Sequence, residues 1–294
     1  MTIKYYTKQY AGMLPKIFEA KSHFLRTFGG TLQVKDGIAQ KDTFMDLKTT
    51  DTDVVIQSYN TGENVGFGTG TGNSSRFGPR REVKSIDTQV QYDAPLAIHD
   101  GIDDFTVNDI TDQVVAERLA LHGEAWIENL NSVLGKEISD KASETLTGEL
   151  TEDGLKSVFN EASKIFTNNK VSKTLGRVAY VTADVYNLLV DHKLTTPAKQ
   201  SNADVSNNVI QRFKGFDLEE LADEYFQGTE NIMFAADNVG VAGIGIQVAR
   251  ALESEDFAGV ALQAAAKRAK YIPEKNNKAI LKAVLSEPAE VPAG

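Results

Sequence analysis

A glycine-rich segment, "YNTGENVGFGTGTGNSSRFGPRREVKS" (Tyr59–Ser85), separates two stretches that have the pattern of β-strands. It contains no leucine, isoleucine or methionine. After it, the more apolar side chains of "KSIDTQVQY" (Lys84–Tyr92) alternate with its polar side chains. This period of two is typical of a strand with one buried face. Before it, "DVVIQSY" (Asp53–Tyr59) is the natural antiparallel partner. The pattern predicts a long β-hairpin with the glycine-rich segment at its tip.

The glycines of the tip also raise the possibility of a phosphate-binding loop. Four of them alternate along the chain: Gly66, Gly68, Gly70 and Gly72. This spacing fails the G-x-G-x-x-G fingerprint at its third glycine, and no G-x-x-x-x-G-K-[ST] occurs. Both motifs also need a helix directly after the loop, because its N-terminus presents the amides to phosphate. A strand follows here, so a flexible hairpin tip is the favoured interpretation.

On the N-terminal side of the hairpin, "LPKIFEAKSHFLRTFGG" (Leu14–Gly30) has an amphipathic helical pattern. The apolar residues at helical spacing are Leu14, Ile17, Phe24 and Phe28. Pro15 suits a first helical turn, and Gly29 and Gly30 suit its end. A lone helix must bury its apolar face, either on its own domain or on a partner. Packing on its own domain is favoured slightly.

On the C-terminal side, "NDITDQVVAERLALHGEAWIENLNSVLGKEISDKAS" (Asn108–Ser143) carries the strongest helical periodicity in the chain. Its main apolar stripe consists of Val115, Leu119, Trp126, Leu130, Leu134 and Ile138. At 1.5 Å per residue such a helix extends roughly 50 Å. Globular helices average about 11–12 residues, so this pattern predicts an unusually long strut.

Beyond Thr151 short helical and strand patterns alternate, which predicts an α+β domain. The predicted strands are "RVAYVT", "FDLEEL", "NIMFAAD" and "VAGIGIQVA". The segment "FAGVALQAAAKRAKYI" (Phe257–Ile272) is ambiguous, because its alanines favour a helix. Its end, "KRAKYI", and the later "KAILKAVL" instead resemble a pair of strands.

Composition limits the chemistry. The chain has 294 residues, a net charge of −10 and no cysteine, which excludes disulfides, thiolate metal sites and cysteine nucleophiles. The acidic balance argues against binding nucleic acid by bulk charge. The four histidines lie in different elements without ligand spacing, and no G-x-S-x-G occurs. No catalytic, cofactor or metal site is therefore expected. The start lacks a signal-peptide pattern, and no apolar run approaches the roughly 20 residues of a membrane span, which predicts a soluble protein made in the cytoplasm.

The order of these parts resembles the major capsid proteins of tailed bacteriophages, whose Hong Kong 97-type fold is shared with herpesvirus shells and encapsulins. Two segments resemble, in their amino-acid sequence, capsid subunits of long-tailed phages of Gram-positive hosts. They are "QYDAPLAIHDGIDDFTVNDI" (Gln91–Ile110) and "KYIPEKNNKAILKAV" (Lys270–Val284). The resemblance covers essentially the whole chain and implies an α+β fold.

The resemblance implies five parts, which it assigns by position. They are an N-terminal arm (1–40), an extended β-hairpin loop with its base (41–98), a peripheral domain with a long spine helix (99–150), an axial domain (151–249), and return strands of the peripheral domain with a flexible tail (250–294).

The function implied by the resemblance is structural and not enzymatic. The subunit would assemble with copies of itself into pentamers and hexamers of an icosahedral head in the host cytoplasm, and would reside in the virion. A separate scaffolding protein and a portal protein would be partners, and genomic DNA would be enclosed without sequence-specific binding or any membrane. The candidate contact residues between subunits are Gly66, Gly68, Gly70, Gly72, Arg76, Arg80, Arg81, Lys84, Ile17 and Phe24.

Some relatives join neighbouring subunits covalently through a lysine in the hairpin. The segment from Asn60 to Arg81 contains no lysine, and Lys84 lies nearer the base. A non-covalent shell is therefore expected. Two alternatives remain open: an encapsulin-type compartment that encloses cargo enzymes, whose N-terminal helix would form the cargo site, and an enzyme that binds phosphate or a nucleotide through Gly66–Gly72.

Overall fold

The computed structural model describes residues 4–5, 7–37, 42–50, 54–62, 76–106, 111–192, 196–197 and 211–288. These residues form two compact units. The hairpin unit comprises the described residues of Thr43–Gln91, and the main unit comprises the described residues outside it.

The helices are α1 (Thr7–Lys21), α2 (Thr111–Asp140), α3 (Glu152–Asn168) and α4 (Ala183–Asp191). The strands are β1 (Lys4–Tyr5), β2 (Leu32–Asp36), β3 (Thr43–Thr49), β4 (Ile86–Gln91), β5 (Leu96–Asp103), β6 (Thr145–Glu149), β7 (Arg177–Thr182), β8 (Thr196–Pro197), β9 (Gln211–Phe213), β10 (Phe216–Leu221), β11 (Ile232–Ala236), β12 (Val241–Glu253), β13 (Gly259–Tyr271) and β14 (Ile280–Ser286). Short 3-10 turns lie at Asp223–Tyr225 and Glu274–Ala279.

In the hairpin unit β3 pairs with β4 in antiparallel register, from Thr43 opposite Gln91 to Thr49 opposite Ile86. The strand predicted at Lys84–Tyr92 is confirmed, but its predicted partner is wrong. Residues 54–59 are irregular, and the pairing strand comes earlier in the chain. The regular ladder forms where Phe44 and Val90 are buried, because a strand pair is stabilised mainly by the side chains it covers.

The first sheet of the main unit has the strand order β1-β12-β13-β5, and β2 pairs with β12 in parallel. The ambiguous segment Phe257–Ile272 forms the long strand β13, which is paired on both sides. The ladder with β12 runs along nearly all of β13 and the ladder with β5 covers its first eight residues, and this pairing outweighs the helical preference of alanine. The expected pairing of this segment with "KAILKAVL" is wrong, because the latter forms β14 in the other sheet.

The second sheet has the order β6-β14-β11-β7-β10-β9-β8 and mixes parallel and antiparallel pairs. All residues of β7 and β11 are buried, as expected of central strands, and the polar exceptions to their apolar sequences are Arg177 and Thr182 at the two ends of β7. The strands predicted in this region are confirmed. The boundary predicted at residues 249 and 250 falls inside β12, and β14 lies in the second sheet between β6 and β11.

The long helix is confirmed as α2, whose 30 residues extend about 45 Å. Its predicted first residues, 108–110, lie outside the described part of the chain. Its apolar stripe enters the main core, where Leu130, Leu134 and Ile138 are fully buried. The periodicity alone was sufficient because the helix buries one continuous face.

Helix α1 differs from its prediction in both position and length. It begins at Thr7, so Pro15 lies inside the helix and not in its first turn. It ends at Lys21, and the chain then turns through residues 23–30, where Gly29 and Gly30 have φ angles of +80° and +75°. Its fully buried face consists of Tyr10, Leu14 and Phe18, which follow one another at intervals of four. This face packs in the chain's own core, next to α2 and β2.

Candidate inter-subunit surface

Beyond β3 and β4 the two legs of the hairpin stay in contact without forming strands. The amide of Asn60 donates to the carbonyl oxygen of Arg76 at 2.9 Å, and Arg76 Nη1 donates to the carbonyl oxygen of Asn60 at 3.1 Å. The rings of Tyr59 and Phe77 meet edge to face, with centroids 5.1 Å apart. The two legs of the hairpin are therefore held together by these contacts beyond the end of the regular strands.

The hairpin unit exposes an unusual amount of apolar surface. Seven of the twelve large apolar side chains that are most exposed in the described residues lie in it: Val54, Val55, Ile56, Tyr59, Phe77, Val83 and Ile86. Val54 is 96% exposed, Ile56 97% and Phe77 76%. Exposed apolar groups gathered in one region mark an interaction surface, whereas scattered ones need no explanation. The sequence signal was present in "DVVIQ", but it was assigned to a paired strand.

Of the predicted arginines, two are available at this surface. Arg80 and Arg81 are exposed and have no ion-pair partner among the described residues. Arg76 is half-buried and contacts its own hairpin. Lys84 approaches Glu82 at 3.7 Å, but both side chains are at least three-quarters exposed, and such pairs contribute little.

The remaining predicted contact residues have other outcomes. The glycines Gly66, Gly68, Gly70 and Gly72 lie outside the described residues, so their role stays a prediction. Phe24 has no exposed surface and packs its ring 4.9 Å from that of Tyr180. It belongs to the core, and its prediction as a contact between subunits was wrong, because a side chain buried in its own chain has no surface to offer a neighbour. Ile17 is half-buried against that same core.

The residues that flank the hairpin are fixed to β13, a feature that sequence reasoning missed. The amide of Tyr92 donates to the carbonyl oxygen of Asp42 at 2.7 Å. Lys267 forms an ion pair with Asp42 at 2.7 Å, and Lys270 forms one with Asp93 at 2.9 Å. These contacts hold the chain where it enters and leaves the hairpin. The two lysines of "KRAK" were the sequence signal, and their partners are far away in the chain.

A second polar group surrounds the turn after α1. Arg26 donates to the carboxylates of Asp237 at 3.1 Å and Asp217 at 2.9 Å. Nearby, burial raises the pKa of Glu219 to about 7, and the charge of Arg26 offsets only part of that effect. His23 Nδ1 lies 3.9 Å from the Glu219 carboxylate.

The described residues contain no group of three or more histidine or acidic side chains that could hold a metal ion. Within the same ranges, no helix is both long enough and apolar enough to cross a membrane. His122 is buried, and its Nε2 lies 2.8 Å from Asp100 Oδ2, so it links α2 to β5.

Neither a known family model nor a curated protein sequence matches this chain. Solved structures do match. The chain is similar to the mature capsid of bacteriophage PhiM1, with a TM-score of 0.61 and 11% identity, over 92% of this chain and 88% of that one. It is also similar to the capsid of Ralstonia phage GP4, with a TM-score of 0.61 and 9% identity, over 93% of both chains. For the capsid of the cyanophage P-SCSP1u the TM-score is 0.59 and the identity 10%, over 87% of both chains.

At these identities the similarity concerns the fold, and it extends over nearly the whole length of each chain. The mixed α+β architecture predicted from the order of parts is confirmed. The chain has the Hong Kong 97-type fold of phage capsid proteins.

Proposed function

We propose that this protein is the major capsid protein of a tailed phage, which associates with copies of itself in pentamers and hexamers to form an icosahedral head. One observation carries the proposal beyond the fold. The two legs of the hairpin contact each other, and yet Val54 and Ile56 are almost fully exposed and Phe77 is 76% exposed. A second copy that covers these side chains gains about 1.5–3 kcal/mol for each one buried.

The charges of the hairpin suit the same partner. The chain has a net charge of −10, so a neighbouring copy offers many carboxylates. Arg80 and Arg81 present two guanidinium groups, which bind carboxylates in a bidentate manner. The contact is non-covalent, because the segment from Asn60 to Arg81 has no lysine for a cross-link.

The proposal includes the setting of the protein. The shell forms in the host cytoplasm with the help of a separate scaffolding protein and a portal protein, and becomes part of the virion. It encloses genomic DNA without sequence-specific binding, because the net charge of −10 repels the DNA backbone as a whole. Its work is mechanical and not enzymatic.

The encapsulin alternative depended on a free N-terminal helix that could form a cargo site. The apolar face of α1 is instead covered by the chain's own core. This packing removes the observation that favoured a cargo compartment.

Assembly of the full chain, expressed with and without a scaffolding protein, tests the proposal by sedimentation and electron microscopy. We expect closed shells with pentameric and hexameric units. The double substitution Val54→Ser and Ile56→Ser should give folded subunits that fail to close shells. The matched control, Leu175→Ser with Val190→Ser, changes two side chains that are each 38% exposed in the main unit and should assemble. A wild-type chain that stays monomeric at high concentration contradicts the proposal, and small shells filled with an enzyme would favour the encapsulin alternative.

A further inference from the structure

The main unit contains a basic cleft at one end of the second sheet. Its volume is about 500 Å³, within the range of sites that bind small molecules. The connection between α3 and β7 forms one wall, and the turn between β9 and β10 forms the other. The charged side chains that line it are Lys173, Arg177, Arg212 and Lys214, and none of the acidic side chains that the structure describes lines it.

Some of the positive charge around the cleft is balanced by carboxylates. Arg212 Nη2 lies 2.6 Å from one carboxylate oxygen of Asp217, and the other oxygen of Asp217 lies 2.9 Å from Arg26. Arg26 also pairs with Asp237, so these two arginines and two aspartates neutralise one another. In contrast, Lys173 and Lys214 have no ion-pair partner among the residues the structure describes. Together with Arg177 they leave three positive charges unbalanced, in a chain whose net charge is −10.

Of these three charged side chains, Arg177 is the one that is buried. Only 9% of it is exposed, and its buried Nε has no hydrogen-bond partner within the described part of the chain. One Nη donates to the carbonyl oxygen of Val171 at 3.3 Å, and the guanidinium lies over the ring of Phe166 at 5.2 Å. Burial lowers the pKa of Arg177, yet a guanidinium stays charged in proteins. A buried charge without a carboxylate is costly, and an anion in the cleft relieves that cost.

The backbone places the two lysines on short turns. Lys214 and Gly215 have φ angles of +50° and +92°, which close the tight turn between β9 and β10. On the opposite wall, the hydroxyls of Ser172 and Thr174 lie 2.7 Å apart and flank Lys173. The positive groups therefore surround the cleft before any ligand arrives, which reduces the entropy cost of binding.

We propose that this cleft binds a phosphate group. A single carboxylate would leave two of the three charges unbalanced, whereas a phosphate monoester carries about −1.5 to −2 at neutral pH and offers three acceptor oxygens. The phosphate comes from a free anion or from a nucleic-acid strand end. The inference is independent of the proposed function, because it rests on the fold of one chain.

Calorimetric titration of the full chain with inorganic phosphate, at constant ionic strength, tests the site. We expect saturable binding with one site per chain, and a melting temperature that rises with phosphate concentration, because a ligand that binds only the folded state stabilises it. Lys173→Glu with Lys214→Glu reverses two exposed charges and should weaken binding by at least about tenfold, since charge-assisted hydrogen bonds are lost. Arg177→Lys keeps the charge but removes the fork, and should weaken binding less.

The matched control is Lys16→Glu with Lys48→Glu, which makes the same change of charge at exposed positions that do not line the cleft. It should bind phosphate like the wild type. A parallel titration with a short 5′-phosphorylated DNA strand distinguishes the sources: tighter binding than inorganic phosphate indicates a strand end, and equal or weaker binding indicates a free anion. Absence of saturation, equal weakening in the control, or competition by acetate at the same concentration would overturn the proposal.

Discussion

Two short, largely apolar segments of this chain differ in their exposure to solvent: "DVVIQ" in the hairpin unit and "RVAYVT" in the main unit. Every residue of the second is buried as β7, between β10 and β11 of the second sheet. In the first, Val54 and Ile56 are 96% and 97% exposed. The main unit buries most of its apolar side chains within one chain, with Phe105 as an exception at 86% exposure, whereas the much smaller hairpin unit leaves seven large apolar side chains exposed. The comparison predicts that folding stability depends mainly on the main unit and that the proposed assembly depends on the hairpin unit.

The largest expected effect is in the main unit. Phe24→Ala removes a fully buried ring from the core, beside Tyr180 and Tyr225. We expect the free energy of unfolding to fall by about 3–5 kcal/mol, because both burial and packing are lost. Urea denaturation of the unassembled chain measures it. A loss below about 1 kcal/mol would show that residue 24 is not a core position, and would blur the comparison.

The next effect concerns pH. The raised pKa of Glu219 means that the unfolded chain ionises this carboxyl first as pH rises from about 4.5. The contribution of Glu219 therefore lowers the free energy of unfolding progressively between about pH 4.5 and 7, and the loss is complete above pH 7. Glu219→Gln removes this loss, so we expect it to be more stable than the wild type at pH 8 by roughly 1 kcal/mol, after allowing for partial exposure.

Denaturation of both proteins at pH 4 and pH 8 checks this prediction. Burial lowers the pKa of the neighbouring His23, so its contribution to the free energy of unfolding rises with pH, opposite to that of Glu219. His23 is present in both proteins. The difference between wild type and variant therefore isolates Glu219. A variant that loses stability at pH 8 relative to the wild type contradicts the assignment.

A smaller effect is expected at the start of α3. Thr151 Oγ1 accepts a hydrogen bond from the amide of Gly154 at 3.2 Å and caps the helix. Thr151→Ala should lower the free energy of unfolding by about 1 kcal/mol, while Thr151→Ser keeps the acceptor and should change it by much less. Thermal denaturation of the two variants is the measurement. Equal losses would mean that the methyl group matters and not the cap.

The smallest change in the free energy of unfolding is expected in the hairpin unit, and it is the most direct test of the difference between the two units. Val54→Ser replaces a side chain that the single chain hardly covers, so the free energy of unfolding should change by less than about 0.5 kcal/mol. Urea denaturation of the unassembled chain measures it. Val185→Ser, which changes a fully buried valine of α4, should in contrast cost several times as much. A large loss in Val54→Ser would show that the hairpin supports its own fold.

Local periodicity predicted those elements that bury one continuous face or both faces of a strand. The long helix α2 and the strands β7, β10, β11 and β12 were therefore predictable from the sequence. The Hong Kong 97-type fold was predicted from a resemblance to phage capsid proteins, in the order of parts and in the segments Gln91–Ile110 and Lys270–Val284. The exposed arginines Arg80 and Arg81 were recognised as candidates for contact by their residue type and their position in the hairpin alone.

Other features depended on contacts between residues that are far apart in the chain. The pairing of β3 with β4, the strand form of the alanine-rich β13 and the place of β14 in the second sheet are all decided by ladders with distant strands. The burial of Phe24, the ion pairs of Lys267 and Lys270 and the basic cleft around Arg177 likewise arise only when separate elements meet. The physical reason is range: side-chain periodicity reports which face of an element is apolar, but burial, pairing and charge balance depend on what the fold brings to that face.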